Sequence, residues 1–251
     1  MEISAVIITY NEEKNIARCL QSLQGVADEI IVVDSGSTDR TEEICREFGV
    51  TSFIYHPFEG HIQQKNWAME QAAHSHILSL DADEALSNEL KKSILEVKES
   101  WTADAYEFNR LTCYCGKWIR HCGWYPDAKV RLWDRRKGRW GGVNPHDKIV
   151  MENSESVTRI KGDLLHYSYY SISEHILQLN KFTEVGAREY LKKGKKVSVM
   201  KIIYKPVWKF IRDYFVKLGV LDGYYGFIIC AISAFATFVK YVKAKQLLNF
   251  K

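Results

Sequence analysis

Two carboxylates that follow an apolar run are the residues of this chain whose types and spacing best suit chemistry. The run Ile77–Leu80 leads directly into Asp81 and Asp83, which stand one residue apart. In a doubly wound α/β sheet, ligands bind beyond the carboxyl ends of the strands, where side chains at i and i+2 can face one cation. Mg²⁺ and Mn²⁺ accept such carboxylates and complete their shells with water and phosphate oxygens. The spacing indicates a metal–diphosphate site, although an isolated pair of this kind is also typical of a solvated turn.

Two earlier apolar runs end in polar residues in the same way. The run Ile3–Ile8 leads into Thr9 and Asn11, and Glu29–Val33 leads into Asp34. Continuous runs of this kind are typical of parallel strands that are covered on both faces. Both junctions therefore end in groups suited to a nucleotide, because a carboxylate accepts hydrogen bonds from a uracil N–H or from ribose hydroxyls.

Helices are predicted between these strands, so that the chain repeats a βα unit. We expect Asn11 to cap the first helix, and Asp39 with Glu42 to form a capping box at the second. The first helix is predicted by apolar residues at helical spacing, which are Ile16, Leu20 and Leu23. The glycine patterns of dinucleotide-binding folds and of P-loops do not occur, so phosphate must be neutralised by metal.

Four segments resemble, in order and spacing, the donor-binding motifs of family 2 glycosyltransferases with the GT-A fold. They are Thr9–Glu13, Val32–Asp39, Gln64–Ala68 and Leu80–Glu84. A fuller pattern is similar to the lipopolysaccharide-core β-glucosyltransferase branch, and its further segments are Lys129–Trp133, Pro145–Asp147 and Gly219–Gly223. The resemblance implies an α/β fold of the GT-A type, with a Rossmann-like mixed sheet flanked by helices and a C-terminal basic, amphipathic and apolar helical extension.

The resemblance also implies roles for single side chains. Asp83 would be the ligand of Mn²⁺ or Mg²⁺, and the residues that would bind the donor are Thr9, Asn11, Asp34, Lys65, Asp81 and Arg131. Arg131 is the candidate for a diphosphate contact. Lys65 lies in a predicted helical stretch, His61–Met69, where its charge can approach a phosphate; otherwise it is a solvated lysine.

Asp147 is the predicted general base. Displacement at an activated anomeric carbon in one inverting step, as the resemblance implies, needs a carboxylate that takes the proton of the acceptor hydroxyl. Relatives of the branch carry His-Glu where this chain has His146 and Asp147, so the carboxylate here is on a shorter side chain. Glu152 and Glu155 lie nearby and are interpreted as solvated charges in a turn.

The second half of the catalytic domain is predicted to extend the sheet and to meet the acceptor. Residues 105–110 and 128–133 alternate as half-buried strands. The loop between them is rich in aromatic and basic groups that can stack on sugars or pack in the core. It also holds a cluster that can be interpreted as a zinc site, although its spacing favours small buried thiols: Cys113, Cys115, His121 and Cys122.

Composition and charge bound the organisation of the chain. Its 251 residues are 46% hydrophobic and 26% charged, which suits one α/β core with a small extension. We predict a catalytic domain over residues 1–190, with a nucleotide-sugar half of about residues 1–100 and an acceptor half of about 101–190, and a membrane-associating helical extension over 191–251. No cleavable apolar leader precedes the first strand, and the six cysteines are expected to be reduced in the cytoplasm.

The extension combines lysines with large apolar residues, which is typical of a surface that lies on anionic lipid. Within it, Tyr224–Val239 is an apolar stretch a little short of the ~20 residues that span a bilayer. We expect a helix in the plane of the membrane or half inserted rather than a span, and a peripheral location at the inner face of the cell membrane. Nucleic acid is a poor partner for this surface, because its apolar residues would be left uncovered.

The sequence as a whole predicts an inverting glycosyltransferase that moves a hexose, glucose by the resemblance, from a UDP-sugar to a lipid-linked glycan such as the lipopolysaccharide inner core. A sugar-1-phosphate nucleotidyltransferase is the rival enzyme, since it also uses paired aspartates and Mg²⁺ on an α/β sheet. A catalytically silent membrane-bound adaptor with the same fold is the third alternative. The residues do not identify the sugar or the acceptor hydroxyl.

Overall fold

A computed structural model describes residues 1–143, 146–152 and 156–249 of the chain. The chain folds into two compact units. Unit 1 comprises Met1–Leu111 and Asp127–Tyr167, and unit 2 comprises Thr112–Pro126 and Ser168–Lys251. Each unit is described by itself below.

The strands are β1 (Ile3–Thr9), β2 (Glu29–Asp34), β3 (Ser52–Tyr55), β4 (His76–Asp81), β5 (Glu84–Leu86), β6 (Ala105–Tyr114), β7 (Lys117–Ile119), β8 (Ala128–Asp134), β9 (Gly138–Val143), β10 (His146–Met151) and β11 (Val157–Tyr169). The helices are α1 (Ile16–Leu23), α2 (Thr41–Glu47), α3 (His61–Glu70), α4 (Asn88–Glu99), α5 (Ile172–Lys192), α6 (Val199–Ile211) and α7 (Gly223–Asn249). A π-helical turn (Arg212–Val216) and a 3₁₀ turn (Gly219–Asp222) separate α6 from α7.

A mixed sheet forms the centre of unit 1. Within the described residues eight strands follow the order β3-β2-β1-β4-β8-β6-β11-β5, and a ninth, β7 of unit 2, pairs with the end of β6. Strands β1 to β4 run parallel, whereas β8 pairs antiparallel with both β4 and β6. Strands β9 and β10 form a separate antiparallel pair. The predicted fold class, a mixed α/β sheet flanked by helices, is confirmed.

The sheet is buried on both faces, as the continuous apolar runs predict. On one face Ile3, Ile7 and Leu78 join a core with residues of α1 and α4. On the other face Val6 and Ile31 join a second core. Alternate residues of β1 therefore supply opposite layers, which is why its sequence lacks a polar face.

Both predicted helix caps in the donor half are wrong. Helix α1 begins at Ile16 after Asn15, and no side chain caps it. Asn11 instead adopts a left-handed backbone with φ 54° and accepts a hydrogen bond from Thr38 N. The Asp39 carboxylate accepts from the backbone N–H groups of Glu13 and Thr41, and no side chain caps α2. Asn11 and Asp39 each accept a hydrogen bond from a backbone N–H of the neighbouring βα unit, and these bonds replace the expected helix caps.

Unit 2 is built on its helices and the 112–126 loop. Its buried core joins Tyr114, Ile119 and Cys122 to Ile229 and Cys230 of α7. Helix α5 begins with a capping box between Ser171 and Glu174. The helical segment Gly219–Leu248 passes, by length and composition, as a candidate for crossing a membrane.

Candidate active site

The parallel register of unit 1 brings the predicted donor residues to one edge of the sheet. Thr9 pairs in register with Asp34, and Ile8 pairs with Asp81. The last residues of β1, β2 and β4 thus lie side by side. That edge is where an open α/β sheet binds its ligand.

Asp34 builds the loop that follows β2. Its side chain is nearly buried, and Oδ2 accepts hydrogen bonds of 2.8 Å from both Gly36 N and Ser37 N. Oδ1 accepts from the Ser37 hydroxyl at 2.5 Å. Gly36 has φ 93°, a conformation that favours glycine, and so the chain turns back over the carboxylate. The three hydrogen bonds that the Asp34 carboxylate accepts fix the shape of this loop.

Asn11 ties the first loop to the second. Its backbone N–H donates to the Ser37 hydroxyl and its side-chain oxygen accepts from Thr38 N, each at 2.8 Å. The hydroxyl of Thr9, which is buried, has no hydrogen-bond partner among the described residues. An unpaired buried hydroxyl is costly, so Thr9 presents a polar atom that a ligand can satisfy.

Lys65 connects two of the predicted carboxylates. Its ammonium lies 2.8 Å from Asp81 Oδ1 and 2.8 Å from Asp147 Oδ2, and its side chain is only 4% exposed. The interpretation of Lys65 as a solvated lysine is therefore wrong. The same ammonium lies 4.3 Å from the centre of the Trp140 ring, so its charge is held by two carboxylates and an aromatic face.

Arg131 lies on the other side of Asp81. Its Nη2 is 3.2 Å from Asp81 Oδ2 and 3.1 Å from Glu84 Oε1. The remaining guanidinium nitrogens, Nε and Nη1, are buried without a partner among the described residues. Both nitrogens are shielded from solvent, so the structure shows no open donor of Arg131, and its predicted diphosphate contact stays a prediction.

The two cations decide the protonation of Asp81. Burial by itself would raise the pKa of Asp81, but the charges of Lys65 and Arg131 hold it well below its usual range. Glu84 differs, because burial outweighs the Arg131 charge and raises the pKa of its carboxyl. Asp81 is therefore ionised at neutral pH, and its Coulomb partners fix it in place.

Asp83 meets a different partner, His166 of β11. Oδ2 of Asp83 lies 3.2 Å from Nε2 of His166, and the backbone oxygen of Asp83 accepts from Tyr167 N at 2.9 Å. Burial would lower the pKa of His166, but the hydrogen bond and charge of Asp83 raise it. A carboxylate oxygen and an imidazole nitrogen this close fit a Mn²⁺ or Mg²⁺ ion that takes its other ligands from water and phosphate.

A larger protein cage for a metal is not present in the described part of the chain. No group of three or more His, Cys, Asp or Glu residues there is arranged to hold an ion. The predicted metal ligand Asp83 and His166 would therefore supply few of the ligands themselves. Among the same described residues, no group of this kind supports the zinc alternative at Cys113, Cys115, His121 and Cys122. The three cysteines are free thiols.

The structure thus brings Lys65, Asp81, Arg131 and Asp147 into one charge network. Sequence reasoning missed Glu84, His166 and Trp140, which support the network through charge or an aromatic face. Glu84 stands in the predicted segment Leu80–Glu84 directly after Asp83, which was the available signal, but it was given no role. Pro145 and Glu155 lie outside the described residues, as does the His146 side chain, whereas Glu152 is exposed.

The aromatic and basic loop of unit 2 is largely packed. Tyr114 is fully buried, and Trp124 meets its ring edge to face at 5.9 Å. Lys117 donates to the backbone oxygen of Asp222 at 2.7 Å. Arg120 lies over the Tyr125 ring. Tyr114 follows the packing alternative and Trp124 packs against it, whereas Lys117 and Arg120 are exposed.

Comparison with known proteins gives the class of this fold and site. The model of the family described as Glycosyl transferase family 2 matches residues 4–149. The chain belongs to this family and is a glycosyltransferase.

Relatives extend the match over nearly the whole chain. An uncharacterized glycosyltransferase of Rickettsia typhi is 30% identical over 256 residues, which cover 98% of this chain and 87% of the relative. The lipopolysaccharide core biosynthesis glycosyltransferase LpsC of Rhizobium meliloti is 31% identical over 254 residues, covering 96% and 92%. Among solved structures, residues 1–349 of S. aureus TarS in complex with UDP give a TM-score of 0.46 at 15% identity, over 100% of this chain and 92% of TarS.

Proposed function

We propose that this chain is an inverting glycosyltransferase that moves a hexose from a UDP-sugar to a lipid-linked glycan of the lipopolysaccharide-core type. The observation that carries the proposal is the Lys65 bridge, which places the candidate base Asp147 beside the donor-site carboxylate Asp81. The 31% identity with LpsC over most of both chains supports a core glycan as acceptor. Glucose is the proposed sugar, and the inner face of the cell membrane the proposed location.

In this proposal the donor lies across the ends of β1, β2 and β4. Thr9 and the loop organised by Asp34 and Asn11 receive the uridine. Arg131, which lies beside Asp81, supplies positive charge near the diphosphate. Asp83 and His166 would hold a divalent ion, which would supply positive charge against the departing diphosphate.

Asp147 acts on the acceptor. Its carboxylate accepts the proton of the acceptor hydroxyl, the hydroxyl oxygen forms a bond to the anomeric carbon, and the bond from that carbon to the diphosphate oxygen breaks. UDP leaves with the bonding electron pair, and the configuration inverts. Lys65 acts as a positioning residue, since its two salt bridges set the position of Asp147 relative to Asp81.

A thermal-shift screen of UDP-sugars with Mn²⁺ tests the donor assignment. A ligand at 100 times its Kd stabilises a protein by ~2.7 kcal/mol, which is a measurable rise in melting temperature. UDP-glucose is expected to give the largest rise, with UDP-galactose as the epimer control. Release of pyrophosphate from a sugar 1-phosphate and UTP would support the nucleotidyltransferase instead. Absence of both donor hydrolysis and transfer in the presence of Mn²⁺ would support the silent adaptor.

Asp83→Asn tests the metal assignment. We expect it to abolish Mn²⁺-dependent transfer and the thermal shift caused by Mn²⁺ with UDP, because it removes a formal charge with little change in volume. Circular dichroism should show an intact fold. The matched control is Glu99→Gln, which removes an exposed carboxylate at the end of α4 and should leave both readouts unchanged. Undiminished turnover of Asp83→Asn would reject Asp83 as a metal ligand.

A further inference from the structure

Helix α6 exposes its apolar residues and shields its lysines, the reverse of a helix on a soluble protein. Ile203, Val207 and Trp208 are 60%, 56% and 53% exposed. Lys205 and Lys209 are only partly exposed. A helix that faced water on this side would bury the apolar stripe and present the lysines. The outward face of α6 therefore needs an apolar cover.

The apolar face continues onto α7 as an open groove. The groove is lined by apolar side chains alone, and they include Ile203, Pro206, Val207, Phe210, Phe235 and Phe238. Its opening and its chemistry suit a narrow, flexible hydrocarbon chain. Contiguous exposed apolar surface of this kind marks an interaction site.

Positive charge gathers beside this groove without enough acid to balance it. Residues 190–212 contain no Asp or Glu but eight Lys or Arg. Asp213 pairs with Lys209 at 2.5 Å and with Arg212 at 2.8 Å, and both positive charges therefore share one carboxylate. Burial, followed by the charges of Lys209, Lys195 and Lys205, lowers the pKa of Lys240 on α7. The partner that fits both features carries anionic groups next to hydrocarbon.

Packing within unit 2 places α7 against polar protein at both ends. At its start, the buried Asp222 carboxylate accepts from His121 N at 2.8 Å. Toward its end, Lys243 donates to Asn180 and Thr183 of α5. A spanning α7 would also carry α5, a helix with several charged side chains that packs along it, into the bilayer, where charged groups are expensive. The helix is therefore suited to lying along a membrane.

We propose that the outward face of α6 and the groove between α6 and α7 form a binding surface for an anionic phospholipid bilayer, with both helices in the plane of the membrane. The groove takes a lipid acyl chain, and Lys205 meets the lipid phosphates together with the exposed Lys195 and Lys196 that precede α6. This surface is independent of glycosyl transfer, and vesicle binding tests it without an activity assay.

Vesicle co-sedimentation of the full chain tests the surface. We expect at least tenfold stronger binding to vesicles of phosphatidylcholine with phosphatidylglycerol than to phosphatidylcholine alone at low salt. Val207→Asp should lower binding at any salt concentration, because it puts a charge in the groove. Lys205→Glu should lower it at low salt only, since salt screens the charge. Leu177→Asp is the control, because Leu177 is an apolar residue on α5 outside the groove that is even more exposed than Val207, at 68% against 56%.

Melting curves in water must match the wild type for each variant, and Val207→Ala replaces Val207→Asp if the latter does not fold. Equal loss of binding in Leu177→Asp, or no preference for anionic vesicles, would overturn the proposal. A wild-type dimer in sedimentation velocity that Val207→Asp dissociates, without vesicle binding, would assign the face to a second copy of the chain.

Trp208 reports the depth of α6. Brominated lipids quench tryptophan fluorescence according to the depth of the bromine, and Trp208→Phe gives the contribution of this residue by difference. A helix in the membrane plane predicts stronger quenching by bromine near the head groups than near the bilayer centre. Stronger quenching at the centre would show that α6 is inserted and would contradict the in-plane arrangement.

Discussion

At the scale of single residues, the Lys65 ammonium is the group on which the arrangement of the site depends. It is buried, and it balances two carboxylates that would otherwise repel one another. Its distance to each is a hydrogen-bond distance, so it sets geometry as well as charge. The donor-side carboxylate and the candidate base are therefore coupled through one side chain.

Lys65→Met is expected to lower the free energy of unfolding, because it leaves Asp147 without its cation and Asp81 with Arg131 alone. Removal of one partner of a buried ion pair costs ~3–5 kcal/mol, and partial exposure of the two carboxylates places this pair at or below the lower end. Urea unfolding measures the change. The double variant Lys65→Met/Asp147→Asn should recover part of the loss. Strict additivity of the two single variants would show that the pair is not coupled.

Asp147→Asn tests the base directly. We expect kcat to fall by ~10²-fold or more, the usual scale for a lost general base, while the Kd for the UDP-sugar stays near the wild-type value. Single-turnover kinetics with the acceptor and isothermal titration with the donor separate the two effects. Loss of donor binding with an unchanged rate of the chemical step would assign Asp147 to the nucleotide site instead.

At the scale of elements, strand β11 passes close to the start of helix α4 at Gly162. A Cβ at Gly162 would lie 2.2 Å from Leu90 N and 2.6 Å from Leu90 Cα. These are backbone atoms, which cannot rotate away as the end of a side chain can. Ser87, the N-cap of α4, also accepts from Asp163 N and ties the strand to this helix. The close approach holds β11, and with it His166, against the helix layer of unit 1.

Gly162→Ala should therefore destabilise the protein by more than the ~1 kcal/mol that a positive φ alone costs an alanine. Gly25→Ala is the matched control, since Gly25 also has a positive φ, 75°, but no atom within 4 Å of an added Cβ. The difference between the two changes in unfolding free energy isolates the steric contact. Equal values would show that the strand yields at this point.

Elements also explain why deletion of the C-terminal extension is a poor test of its role. Ile229 and Cys230 of α7 belong to the buried core of unit 2 together with Tyr114. A chain that ended before α6 would uncover this core. Point substitutions on the outward face of α6 change the surface and leave these buried residues in place.

At the scale of the whole molecule, the two units carry different chemistry. The charge network and the donor loops belong to unit 1, and the apolar groove with its lysines belongs to unit 2. Ligands of the two kinds should therefore act on separate parts of the chain.

Hydrogen exchange measured by mass spectrometry tests this division. UDP with Mn²⁺ should slow exchange at residues 9–13 and 34–39, and anionic vesicles should slow it over residues 199–216. Bound ligand raises protection where backbone groups become less accessible to local opening. Vesicles without phosphatidylglycerol are the control. Vesicle protection confined to residues 9–39 would place the lipid-binding surface in unit 1.

Local pattern was sufficient to predict much of this protein. The continuous apolar runs predicted β1, β2 and β4, because parallel strands covered on both faces leave no polar alternation. Four motifs predicted the family, and polar residues after apolar runs predicted the strand ends that the register brings to one edge of the sheet. These features are local, and each can be judged within a window of about ten residues.

Tertiary structure alone decided how these residues meet. Lys65 and Asp147 lie 82 positions apart, and Asp83 and His166 come from strands far apart in sequence. The predicted helix caps were wrong for the same reason, because the Asn11 and Asp39 side chains accept hydrogen bonds from backbone N–H groups of a neighbouring loop. The sequence contains the lysines of α6, but it does not determine which way their side chains point. A hydrophobic pattern is the same whichever face of a helix is covered, and only the packing of α6 on α7 determines which face remains exposed.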